Sequence, residues 1–263
     1  MLAMLVAIAS FLVGFIATAL IVLTIRRRFQ LDILQSNNEV VAHYLTIVTA
    51  LYGLFFGFVI VSLWEQQRDA EDNIVAEAKE LRTVFRLSDG LAEPGRSEIR
   101  AFSIAYAREV IDEEWPRLIA GDESLTYHHP AKSHLWARIV SHVPGTDVEH
   151  TYFGSLVEHF ESLSDNRNQR CYDALRTLPD YLWLILVMGS GLSIACTFFI
   201  GTANLRTQVL LSGVSGGLIV LMLFVVYDLQ RPFRGYWVAS PMAFELAVER
   251  MEHAVQESAG VEP

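Results

Sequence analysis

The chain has 263 residues, 52% of them hydrophobic, with a formal net charge of −10. An acidic balance of this size disfavours nucleic acid as a partner, and two cysteines, Cys171 and Cys196, supply neither a disulfide framework nor a metal motif. The apolar residues are collected in four blocks around a strongly polar middle, which excludes an ordinary soluble core.

The blocks run from about Leu2 to Ile25, Tyr44 to Trp64, Tyr181 to Ile200 and Val209 to Tyr227, each free of charged residues. A helix needs about 20 apolar residues to cross a hydrocarbon core of about 30 Å. Continuous apolar runs suit helices, whereas membrane barrels need alternating strands. The sequence therefore predicts an all-α integral membrane protein. Two hairpins, residues 1–64 and 181–237, flank a helical extramembrane domain over 65–180, and 238–263 forms a short amphipathic tail. The first block precedes Arg26-Arg27-Arg28 and has no small-residue cleavage site, so it reads as a retained anchor. An even number of spans puts both termini and the central domain on one side of the membrane.

The second span contains Gly53 and Gly57 as a GxxxG pair, and the fourth contains Gly213, Gly216 and Gly217. Such residues let helix backbones approach closely, either within one chain or between subunits. Two stripes at i, i+4, i+8 on the second span could line a pore: Leu51, Phe55 and Val59, or Tyr52, Phe56 and Ile60. No ionisable residue lies mid-span, which argues against proton relays and intramembrane catalysis. An apolar neck can gate by dewetting without any buried charge.

The central segment carries 22 Asp+Glu against 13 Lys+Arg, a charge of −9. Ile74, Ala78, Leu81 and Phe85 predict a helix that continues the second span. Further helices are predicted over about 97–120, 134–143 and 151–178. The run Asp112-Glu113-Glu114 reads as a solvated helix face, and Asp228 with Arg231 as a local ion pair. No phosphate-binding glycine loop, nucleophile elbow or HExxH pattern occurs, so neither an enzyme nor a bound metal or cofactor is expected.

The stretches LYGLFFGFVIVSLWEQQRDAEDNIVAEAKEL, YAREVIDEEWP, LPDYLW and DLQRPFRG resemble the bestrophin-like bacterial membrane protein family. The landmarks are Trp64, Glu65, Glu77, Tyr106, Glu114, Trp115, Pro116, Arg231, Pro232, Phe233 and Gly235. The family has a distant similarity to the bestrophins, which are pentameric chloride channels with an apolar neck on the second span. The resemblance thus implies a homo-oligomeric channel for inorganic anions in a bacterial inner membrane, with the domain in the cytoplasm. No acidic run follows Pro232-Phe233, so calcium gating is not implied. The residues alone leave a second reading open: a non-catalytic membrane scaffold or sensor whose helical domain binds a partner.

Overall fold

A computed structural model describes residues 2–28, 38–122, 124 and 130–260. Among these the chain forms α1 (Leu2–Arg28), α2 (Asn38–Leu87) and a 3-10 turn (Ser88–Gly90). There follow α3 (Gly95–Glu109), a π turn (Val110–Glu114), α4 (Trp115–Ala120), α5 (Pro130–Ser141) and α6 (Asp147–Leu175). The chain ends in α7 (Asp180–Phe198), α8 (Leu205–Leu229) and α9 (Met242–Gly260). Two compact units divide it. The first comprises 1–65, 177–230 and 235–237; the second comprises 66–176, 231–234 and 238–263.

The first unit contains four stretches long and apolar enough to span a membrane, in α1, α2, α7 and α8. Its closest pairing joins the first span to the last. A Cβ added at Gly14 would meet the Gly216 carbonyl oxygen at 2.7 Å, and one at Gly217 the Phe11 ring at 2.8 Å. At Gly213 it would meet the Phe15 ring at 2.7 Å, and at Gly216 it would collide with Thr18. The small residues of α8 therefore let its backbone sit against α1, where dispersion replaces the hydrophobic drive that lipid removes. A second cluster joins α2 to α7 and α8 through Phe56, Val59, Leu63, Leu186, Val226 and Leu229, all buried. At one end of the unit, Asn38 exchanges two hydrogen bonds of 2.8 Å with the backbone of Gly201.

The second unit is a helical bundle. Its core is built where apolar stripes meet: Ala70, Ile74, Leu81 and Val84 of α2, Ile99 and Tyr106 of α3, Leu135 and Ile139 of α5, and Leu156 and Leu163 of α6. The predicted helices occur with shifted ends, each for a local reason. The expected 151–178 helix starts earlier, because Thr146 caps it by accepting from the Glu149 N–H at 3.2 Å. It stops at Leu175, where Arg176 turns to extended backbone (ψ 128°), and Pro179 independently disfavours helix at Leu178. The expected 97–120 helix is interrupted by the π turn. There the Trp115 N–H bonds the Val110 carbonyl five residues back, which accommodates Pro116, a residue with no N–H and a ring that crowds the preceding turn. The segment read as a C-terminal tail forms α9 and buries Phe244, Ala247 and Met251 in the same core.

Candidate functional site

On α2, burial separates the second span into two faces. Tyr52, Phe56, Val59 and Leu63 recur at helical spacing and turn toward α7 and α8. The Tyr52 hydroxyl lies 2.6 Å from Ser190 Oγ and donates to the Leu186 carbonyl at 3.0 Å. Its ring lies over Gly189, where no side chain intervenes, and stacks edge-on against Phe56 at 5.6 Å. The opposite face is bare within the chain: Leu51, Leu54, Phe58 and Val61 are exposed, and a Cβ at Gly53 or Gly57 would meet no other atom within 4 Å. Phe55 and Ile60 are half-buried at the border. The stripe Tyr52, Phe56 and Ile60 lies on the engaged side, whereas the stripe Leu51, Phe55 and Val59 is split: Leu51 is exposed, Phe55 is half-buried and Val59 is buried in the α2–α7–α8 cluster. Gly213, Gly216 and Gly217 pack within the chain, and Gly53 and Gly57 do not.

The family landmarks of the second unit converge on a buried ionic network. The Arg170 Nε–H donates to Glu77 Oε2 at 2.6 Å, and its Nη2 donates to Glu77 Oε1 at 3.1 Å and to Glu114 Oε2 at 2.7 Å. Arg167 donates to Glu114 Oε1 from Nη2 at 2.6 Å and from Nε at 3.2 Å. The Tyr106 hydroxyl donates to Glu77 Oε1 at 2.7 Å. Each of these five residues is at most 4% exposed. Two cations balance two anions, so burial leaves no net charge, and every carboxylate oxygen is hydrogen-bonded.

The remaining nitrogen of Arg170, Nη1, has no hydrogen-bond partner among the described residues. Its guanidinium instead lies 5.9 Å from the Trp115 ring centre and 5.7 Å from that of Phe244, a cation–π arrangement. Trp115 in turn meets Phe233 edge-on at 5.5 Å. Burial would lower the pKa of Arg170, but Glu77 and Glu114 outweigh it and hold the cation firmly charged. Burial first, and the two carboxylates second, push the Tyr106 hydroxyl well above its usual value. Arg170 and Tyr106 are thus held protonated, and the five side chains present no nucleophile. The evident work of the network is to fix α2, α3, the π turn and α6 against one another.

The other landmarks are placed as follows. Trp64 meets Trp237 edge-on at 5.7 Å, Glu65 is exposed, and Pro116 shapes the π turn. Asp228 accepts from the Tyr236 and Trp237 N–H groups at 2.8 and 3.1 Å, and the positive φ of Gly235 (112°) lets the chain turn back onto it. Pro232 and Phe233 are buried and Arg231 is partly so. Glu114, read from sequence as part of a solvated face, is buried, because the π turn brings it and Trp115 round to the side of Val110. Arg167 and Arg170 were not singled out by the sequence reading. Among the described residues no cluster of three or more His, Cys, Asp or Glu could hold a metal ion.

Four charge-free spans, and a second unit whose described residues form helices and no strand, define an all-α integral membrane protein. A family model for the Bestrophin-like domain matches residues 12–244. The chain belongs to the Bestrophin-like family. No curated protein matches it. Several crystal structures share its fold, among them variants of a bacterial bestrophin homologue from Klebsiella pneumoniae. One, at 14% identity, superposes with a TM-score of 0.66 over 97% of this chain and 99% of the other. A second variant gives 0.67 at 14% identity over 97% and 99%, and a third 0.69 at 14% identity over 96% and 98%.

Proposed function

We propose that the protein is the subunit of a homo-oligomeric ion channel that passes inorganic anions, with the second span lining the pore. The observation that carries this reading is the division of α2. Its Tyr52–Phe56–Val59–Leu63 face is satisfied inside the chain, whereas the face bearing Leu51, Leu54, Phe58 and Val61 is apolar and bare. Gly53 and Gly57 beside it leave room for a second backbone. Several copies arranged with this face inward would enclose an apolar neck of the kind that gates by dewetting. Family membership supports the reading, and bestrophin resemblance suggests a pentamer. The domain and both termini would face the cytoplasm of a bacterial inner membrane. Halide flux into liposomes containing the purified protein tests the proposal. Flux above that of empty liposomes is expected, and its absence from a folded, oligomeric preparation overturns it.

A scaffold or sensor is the alternative, favoured by one observation: α2 runs without a break from Asn38 to Leu87, so a tilt of the span could be transmitted along it. Mass measurement in mild detergent separates the two, because a monomer or dimer cannot enclose a pore with one helix per subunit.

A further inference from the structure

In the second unit, α2 and α9 border a groove with a volume of about 570 Å³, within the range of small-molecule sites. Its floor is made by Ala78, Ala243 and Ala247, whose short side chains leave the space open. Its walls include Val75, Val238, Met242 and Leu246, and these four large apolar side chains are 44–60% exposed. These side chains give the groove an apolar wall, the lining that predominates in small-molecule sites.

The groove is not apolar throughout. Lys79, Arg82 and Arg250 line one part of it and are shared with an adjoining hollow of about 350 Å³ that adds Arg86 and Arg100. Arg100 pairs with Asp89. Among the described residues no carboxylate pairs with Lys79, Arg82, Arg86 or Arg250. Glu71 lies at the other end, three turns of α2 away from Arg82. Four unpaired cations in a region whose formal charge is negative are a local inversion of its electrostatics, and they stand beside a groove with exposed aliphatic walls.

We propose that this groove binds a medium-chain carboxylate: an amphiphilic anion whose acid group lies among Lys79, Arg82 and Arg250 and whose alkyl chain lies along Val75, Met242 and Leu246. The distance along α2 from Val75 to Arg82 is about 10 Å, the scale of such a chain. Guanidinium forks suit a carboxylate, and Glu71 at the far end disfavours the reverse orientation. This inference is independent of any pore.

Photolabelling tests it. The full-length protein in lipid nanodiscs is irradiated with a diazirine-bearing decanoate, and labelled peptides are mapped by mass spectrometry. Labelling concentrated in peptides covering 74–82 and 238–250 is expected. It should fall by more than about tenfold in an R82E/R250E variant, which removes two cations and sets two anions against the carboxylate. Ala243→Phe, which fills the groove without changing charge, should abolish it, so misfolding of the charge-reversed protein does not leave the question open. Equal labelling by the corresponding diazirine-bearing decanol, labelling that neither variant lowers, or labels placed elsewhere would overturn the proposal. So would groove peptides that are protected from label and cross-link instead to a second copy of the chain.

Discussion

The Arg170 guanidinium lies 2.6 Å from the Glu77 carboxylate, and both side chains are fully buried. Removing one partner of such a pair leaves an uncompensated charge, which costs about 3–5 kcal/mol. Arg170→Met should therefore lower the thermal unfolding midpoint of the detergent-solubilised protein markedly. Glu77→Leu combined with Arg170→Met should recover part of that loss, because Glu114 keeps Arg167 and the site returns to neutrality. If the double variant were no more stable than Arg170→Met alone, the network would not be acting through charge balance.

Tyr106 gives a finer probe. Its hydroxyl donates to Glu77 at 2.7 Å, a hydrogen bond to a charged group worth about 1.5–3 kcal/mol. Tyr106→Phe keeps the ring in place and removes only the donor. A smaller fall in unfolding midpoint than that of Arg170→Met is expected in the same assay, with the oligomer size unchanged.

Much of this arrangement is legible in the sequence once polar residues are read in the register of their helix. On α6 the inward positions Leu156, Phe160 and Leu163 continue at the same three- and four-residue spacing to Arg167 and Arg170. On α2 the series Ala70, Ile74, Leu81 and Val84 includes Glu77. A charge in an apolar register is a signal that a buried partner exists, although it does not say which one. The placement of Glu114 was hidden for a different reason: the π turn changes the angle per residue, and a regular helical wheel drawn through Asp112–Glu113–Glu114 misplaces it. The spans were legible because length and apolarity are one-dimensional properties. Their pairing was not, since contact of α1 with α8 depends on which glycines face which side chains.

Those glycines separate packing within a subunit from packing between subunits. Gly216→Val should prevent folding of the membrane unit, because its Cβ would collide with Thr18. Gly57→Val meets open space within the chain and should leave the folded subunit intact. In the oligomer proposed above it should nonetheless weaken assembly, read as a shift toward smaller species in mass measurement. An unchanged oligomer would remove Gly57 from any subunit contact.

Glu149 links acidity to the second unit. The N–H groups of Gly145 and Ala92 donate to its carboxylate at 2.7 Å each, and these bonds hold its pKa below the usual 4.5. The folded pKa is depressed, so its contribution is fully present above the unfolded value and is lost as pH falls through the folded one. Glu149→Gln should therefore cost stability at neutral pH and flatten the acid limb of the unfolding midpoint below about pH 4.5. A parallel acid limb in both proteins would show that these bonds are not retained in solution.

The bare face of α2 yields the sharpest functional contrast. Phe58 is 67% exposed, while Tyr52 is fastened to Ser190 and Leu186. If the free face lines an apolar neck, a hydroxyl there eases wetting, so Phe58→Ser should raise halide flux through reconstituted liposomes without changing the unfolding midpoint. Tyr52→Phe should do the reverse. It removes a hydrogen bond at a helix contact, worth about 0.6–2 kcal/mol in a membrane, and should lower the midpoint while leaving the flux per folded oligomer unchanged. A flux that follows Tyr52 rather than Phe58 would turn α2 by half a revolution and assign the pore to the opposite face.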